Sequence, residues 1–211
     1  MEIGHGTRNA RPVRRGIDAV TVSAGIAVVA LGMVVVRDQS VSDLEEDVFR
    51  VINDLPGALY PVLWPFQQLG ALLVGPAAAI VAGAARRYRL AIAMLLATGA
   101  KLGTERVVKA MVTRRRPGTS IGLDIHLRGD VSVAGESFVS GHAVLVAALA
   151  GVLTPYLRGL WKMVPWVVVG LVMLTRVYVG AHNPLDVVCG AALGLAIAGC
   201  LNLLLRELPP R

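Results

Sequence analysis

At 211 residues, with 55% hydrophobic and only 17% charged side chains and a mean hydropathy of +0.64, the chain is too apolar for an ordinary water-soluble domain. Its formal charge of +7 does not mark a nucleic-acid binder, because Lys and Arg collect in alternate segments between apolar runs.

Residues 1–16 form a basic tail with Arg8, Arg11, Arg14 and Arg15, in which His5 has no evident role. The first apolar run, 17–36, is too long for a signal-peptide core and lacks a convincing small-residue cleavage site, so it is expected to remain as a membrane span. Five more runs follow at 59–85, 90–112, 138–157, 161–181 and 185–205, near the length that crosses a bilayer as helix. Backbone groups in lipid must be satisfied internally, so the expected fold is all-α. It is a six-transmembrane-helix bundle, one domain over 17–205, with a short tail at 206–211. Cys189 and Cys200 fall on the sixth helix about 16 Å apart along its axis. They cannot join and read as small packing residues.

The loop after the first run carries Asp38, Asp43, Glu45, Glu46, Asp47 and Asp54 against Arg37 and Arg50. The start Ser42-Asp-Leu-Glu45 and the spacing of Leu44, Val48, Val51 and Leu55 predict a short capped amphipathic helix lying on the membrane surface. With six spans, the N-terminal tail, Arg86, Arg87 and Arg89, Arg158 and Lys162, and Arg206 and Arg211 share one side. The positive-inside bias makes that side cytoplasmic, with both termini there and the acidic loop outside.

Three stretches converge on the outer side: Lys109 to Arg116-Pro117, Ser137-Phe-Val-Ser140-Gly141-His142, and Thr175-Arg176 to His182-Asn-Pro-Leu-Asp186. The arginines at 114–116 run against the positive-inside bias, which a bound anion explains better than orientation does. Asp186 lies four residues after His182, a spacing that allows contact across one helical turn and suits a nucleophilic imidazole held in one tautomer. In isolation the same pair reads as an interfacial histidine with a solvating carboxylate. Ser140 and Gly141 open a helix whose N–H groups suit an oxyanion, and His142 titrates in the range a general acid and base needs. Taken alone, that segment is an ordinary Ser-Gly helix start. Lys109, Arg116 and Arg176 are suited to clamp phosphate oxygens, and Arg176 inside an apolar run is costly without a partner. Arg114 and Arg115 read as contacts to anionic lipid headgroups. Lys101, Glu105 and Lys109 follow one helix face beside Arg106, as a structural ion-pair ladder or as a polar support beneath the site. The loop 113–136, with Asp124 and His126, reads as solvated but is placed to cover an entrance, and Tyr178 lies near the site.

Together these stretches resemble the three-part signature of the type 2 phosphatidic acid phosphatase family, which also includes soluble acid phosphatases and vanadium haloperoxidases. Lys-x6-Arg-Pro is complete at Lys109, Arg116 and Pro117; Val139 stands for Pro before Ser140-Gly141-His142, and Thr175 for Ser before Arg176, His182 and Asp186. The Val139 change is expected to loosen that turn without removing a reacting group. The resemblance implies that His182 is the nucleophile, forming a phosphohistidine, and that Asp186 orients it. His142 then serves as acid and base, while Lys109, Arg116, Ser140, Gly141 and Arg176 bind phosphate. No cofactor is expected. No metal is expected either, since the chain lacks a His-Glu-x-x-His motif or a Cys cluster and its cations would repel one.

The expected function is hydrolysis of a lipid phosphate or diphosphate at the extracytoplasmic face of a bacterial plasma membrane, with a polyprenyl diphosphate carrier as leading substrate. A phosphatidylglycerophosphate or phosphatidic acid phosphatase is the alternative. Another class, a non-catalytic lipid-phosphate binder or transporter, needs neither both histidines nor the Asp, and no internal repeat of broken helices is evident. A haloperoxidase is disfavoured by the membrane setting. The partners expected are the lipid substrate and the bilayer, with no nucleic acid; the sequence leaves oligomeric state open.

Overall fold

The computed structural model describes residues 10–205, with side chains from Arg15 onward. His5, Arg8, Arg206 and Arg211 lie outside the described residues, as do the side chains of Arg11 and Arg14. Among the described residues every regular element is helical. The chain runs through α1 (Ala10–Val35), α2 (Asp43–Asn53), α3 (Tyr60–Leu69), α4 (Val74–Ala84), α5 (Tyr88–Met111), α6 (Pro117–Ser120), α7 (Gly141–Leu153), α8 (Val164–Tyr178) and α9 (Pro184–Leu205). Short 3-10 turns join some of them.

Among the described residues three segments are long and apolar enough to cross a membrane: Arg15–Val35, Gly159–Tyr178 and Pro184–Leu205. A fourth exists if α3 and α4 count as one crossing. The run 59–85, expected as a single span, is instead two helices bent by 66°. Gly70 lies at the break, and Pro76 has no N–H to offer the carbonyl of Leu72, which together favour a bend there over one continuous helix. Of the other expected spans, α5 is 24 residues long but carries Lys101, Glu105, Arg106 and Lys109, and α7 is only 13 residues long.

The expected short capped helix forms where its signals fall. Ser42 caps α2, its Oγ accepting the Glu45 N–H at 3.3 Å. Asp43, Glu45 and Glu46 in the first turn complement the helix dipole. Leu44 and Val51 are exposed, while Phe49 on the opposite face is fully buried among Ala143, Val177 and Val187. α2 thus lies across one end of the bundle, where α5 and α8 finish and α7 and α9 begin, and presents an apolar stripe outward.

The bundle closes around α9, which packs chiefly on α1 and α7. The α7 seam uses small residues one turn apart, Gly190, Gly194 and Ala198, the pattern that lets membrane helices approach backbone to backbone. A Cβ at Gly190 would stand 2.7 Å from the Ser140 carbonyl oxygen, and one at Gly194 would overlap the carbonyl of Val144. Buried Cys189 faces Gly32 on the α1 side, and both cysteines are free.

Gly194→Val is therefore expected to destabilise the bundle by about 1–3 kcal/mol or more through overpacking. Gly103→Ala, at a helical glycine with open space around it, is expected to stabilise by about 0.5–1 kcal/mol. Thermal unfolding of both variants in one detergent checks the pair; equal midpoints would remove the seam from the account.

Candidate active site

The end of α8 and the start of α9 create the turn that carries His182. Gly180 has φ +77°, and the N–H groups of Gly180 and Ala181 donate to Val177 O and Arg176 O at 2.9 and 3.1 Å. This paired arrangement stops the helix and sends the chain sharply away from its axis. Asn183 then precedes Pro184, the first residue of α9, and Asp186 Oδ2 accepts the Asn183 N–H at 2.8 Å. That is the return bond of a capping box, made here by an aspartate. Four residues after the end of one helix and two before the start of the next, His182 has little freedom left.

His182 is only 3% exposed. Its Nδ1 meets the Ser137 carbonyl oxygen at 2.9 Å, and since a carbonyl only accepts, Nδ1 carries the proton and Nε2 keeps the lone pair. The direct contact expected with Asp186 is not a hydrogen bond, because Oδ2 lies 3.8 Å from Nδ1. Ser137 intervenes: its hydroxyl donates to Asp186 Oδ2 at 2.5 Å while its carbonyl takes the histidine proton. Burial pushes His182 down to about 4, with Arg176 and Arg116 adding to the effect and Asp186 opposing it. The ring is therefore neutral at pH 7.

The start of α7 is pinned to the same turn, since the Ser140 N–H donates to Asp186 O at 3.0 Å. Bonds hold this segment where the family pattern has a proline: the Ser137 N–H donates to Arg114 O at 2.8 Å, and Val139 is fully buried. Beneath Gly141 stands Glu105, whose Oε2 lies 2.5 Å from the position a Cβ would take. Glu105 bonds Lys101 at 2.6 Å and Lys109 at 2.7 Å, so the ladder exists and also delivers Lys109 to the α7 N-terminus. His142 packs against Gly70 at the α3–α4 break, where a Cβ would come within 2.7 Å of the histidine Cβ.

Arg116 Nη1 donates to Ala181 O at 3.1 Å, beside His182. The Nε atoms of Arg116 and Arg176, Ser140 Oγ and Asn183 Oδ1 are buried without a hydrogen-bond partner. Each orphaned polar atom costs about 1–3 kcal/mol. The three donors among them, Arg116 Nε, Arg176 Nε and the Ser140 hydroxyl, group about residues 181–186 as the lining of an anion cradle does.

Arg114 overturns its reading as a headgroup contact. It is fully buried, bonding Glu45 Oε2 at 2.6 Å and Asp186 Oδ1 at 2.8 Å, while Arg115 stays exposed. Burial alone would lower its pKa, but these two carboxylates hold Arg114 above its usual range. Glu45 also accepts the Leu185 N–H at 2.9 Å, tying α2 to the first turn of α9. Glu45, Arg114, Ser137 and Asn183 are the site's neighbours that sequence reasoning missed. Arg114, Ser137 and Asn183 lie inside the three stretches, but nothing there marks them as partners of Asp186; Glu45 lies outside them. Tyr178 is structural, its hydroxyl donating to Pro56 O at 2.9 Å under the Arg128 guanidinium. The loop is fastened too: the His126 N–H donates to Asn53 Oδ1 at 2.8 Å, and Asp124 bonds Arg50 at 3.0 Å. Among the described residues, no three His, Cys, Asp or Glu side chains gather as metal ligands.

This geometry belongs to a known group. The family model of the PAP2 superfamily matches residues 88–208, which include all three stretches. The chain belongs to the PAP2 superfamily. It is an integral membrane protein, and phosphatases of the superfamily hydrolyse phosphate esters. Among solved structures it is similar to Aquifex aeolicus LpxE, with 26% identity and a TM-score of 0.69 over 78% of this chain and 98% of that one. It also shares a fold with the first transmembrane PAP2 type phosphatidylglycerolphosphate phosphatase from Bacillus subtilis. There the identity is 20% and the TM-score 0.63, over 85% and 94% of the two chains. A comparison with curated proteins yields no match.

Because the folded pKa of His182 lies below its ordinary 6.5, its contribution to stability is full above 6.5 and lost as pH falls towards 4. Ring 15N shifts of histidine-labelled protein, with His182→Ala for assignment, are expected to show an Nδ1–H tautomer that protonates only near pH 4. A midpoint near 6.5, or an Nε2–H ring, would contradict the geometry.

Proposed function

We propose that this protein hydrolyses a lipid phosphate or diphosphate through a phosphohistidine, with His182 as nucleophile and His142 as general acid and base. The lone pair on His182 Nε2 attacks phosphorus while the P–O bond to the lipid breaks, and the departing oxygen takes a proton from His142. His142 then removes a proton from water, whose oxygen attacks phosphorus. The P–N bond breaks with its electron pair returning to His182, and phosphate leaves. Arg116, Arg176, Lys109, Ser140 Oγ and the Gly141 N–H face the charge on the nonbridging oxygens. Asp186 acts on His182 through Ser137.

The observation that carries this reading is the set of orphaned donors, Arg116 Nε, Arg176 Nε and Ser140 Oγ, around a buried, neutral histidine whose Nδ1 is committed to Ser137 O. A binder or transporter has no use for that fixed tautomer. A lipid leaving group is supported by the break between α3 and α4. It lies against His142, and Leu69, Leu72 and Leu73 beside it are exposed, so an apolar tail has a surface next to the acid that protonates its oxygen.

In this reading the chain spans the membrane six times, with the tails cytoplasmic and the site outside. Support comes from Arg86, Arg87, Arg158 and Lys162, which sit at helix ends opposite the site. A polyprenyl diphosphate carrier is the leading substrate on grounds of that outward placement. Catalysis is proposed to need no metal, since Arg116 and Arg176 already bring positive charge to His182.

Phosphate release from polyprenyl diphosphates, phosphatidylglycerophosphate and phosphatidic acid in detergent with EDTA tests all of this. The native chain is expected to act on at least one lipid. His182→Ala is expected to lose about 1,000-fold or more, and acid-labile phosphohistidine to be trapped only in the native protein. Unchanged turnover in His182→Ala would overturn the nucleophile assignment. Loss of activity in EDTA, restored by one divalent ion, would overturn metal independence.

A further inference from the structure

Arg114 takes no part in the mechanism above, although a fully buried guanidinium in an apolar bundle is among the costliest groups a chain can carry. Two carboxylates compensate it, Glu45 from α2 and Asp186 from α9, leaving a buried triad of net charge −1. Such triads seldom raise stability over an apolar packing of the same volume, so a different benefit is expected from keeping one. The bonds of Arg114 show what that benefit is. Its side chain holds Asp186 Oδ1 at 2.8 Å, leaving Oδ2 for the Ser137 hydroxyl and the Asn183 N–H. Its main chain holds the other partner of His182. Arg114 O accepts the Ser137 N–H at 2.8 Å, and the Arg114 N–H donates to Glu136 Oε2 at 2.7 Å. The groups that face His182 Nδ1, the Ser137 carbonyl and hydroxyl and the Asp186 carboxylate, thus all belong to residues bonded directly to Arg114.

We propose that Arg114 is the positioning residue of this site: clamped by Glu45, it sets Asp186 with its guanidinium and Ser137 with its backbone, and through them the ring of His182. This rests on the assignment of His182 as nucleophile. Glu45 is the outer half of the device. It grips Arg114 through Nη2 at 2.6 Å and Nη1 at 3.2 Å and takes the Leu185 N–H as well. The surface helix α2 therefore becomes part of the frame that aligns the reacting imidazole. A lysine cannot substitute for Arg114, because a single ammonium on a flexible stem does not span two carboxylates with a fixed fork.

Steady-state kcat and KM, with the quenched-flow rate of phosphohistidine formation, test this in native protein, Arg114→Gln, Arg114→Lys, Glu45→Gln, Asp186→Asn and His182→Ala. A misplacement of about 1 Å costs about 100-fold in rate. Arg114→Gln and Arg114→Lys are accordingly expected to lower kcat and phosphohistidine formation by about that factor, with KM within about twofold. Asp186→Asn combined with Arg114→Gln is expected to cost little more than Asp186→Asn alone, because the two act in series. A folded Arg114→Gln with native kcat, or one that loses only KM, overturns the inference, as does full additivity with Asp186→Asn. Should Arg114→Gln not fold, Glu45→Gln decides in its place: a lower kcat at unchanged KM supports the clamp, and native kcat overturns it. Native turnover in Arg114→Gln alongside loss in His182→Ala leaves the nucleophile standing. Native turnover in His182→Ala removes both.

Discussion

The carboxylate of Asp186 has no access to water, and a buried carboxylate persists in an apolar bundle only if every lone pair finds a donor. Most of the site can be read as the answer to that demand. Ser137 supplies a hydroxyl, Asn183 a backbone N–H and Arg114 a guanidinium. Each donor brings its own element: the loop before α7, the start of α9 and the segment after α5. Because Arg114 is itself buried it requires a further carboxylate, which Glu45 supplies from α2. One desolvated charge thus draws four parts of the chain together around His182.

The close approach of α7 and α9 makes this convergence possible. Small residues on α9 let the two backbones meet, so the Ser140 N–H reaches the Asp186 carbonyl at 3.0 Å. With bulkier residues in that seam, the N-terminus of α7 and the turn bearing His182 would stand apart by a side chain's width. The α3–α4 break serves the opposite face. Where an unbroken helix would present side chains, Gly70 lets the backbone rest directly on His142. Both histidines are therefore placed by absences of side chain, at Gly180 and Gly70, as much as by contacts.

Much of this was legible in the sequence because the signals are local. Apolar runs marked the helices, Ser42 and Glu45 marked α2, and three stretches of cations, histidines and a carboxylate marked the candidate site and the family. Arg114 was misread for a physical reason. In sequence it is one of three adjacent arginines, and nothing local distinguishes the exposed Arg115 from a neighbour that is fully buried. Glu45 was assigned to capping, which it performs with its backbone, while its carboxylate reaches a residue 69 positions away.

The sequence alone determined that the chain is helical and membrane-bound, and which cations, histidines and carboxylate it brings to one end. Hydropathy, spacing and residue chemistry are properties of segments taken one at a time. Only the tertiary structure decided which charge pairs with which. It put Ser137 between His182 and Asp186, and it turned Arg114 inward to meet Asp186. A buried charge selects its partner by proximity and desolvation, and both arise only when the helices have packed.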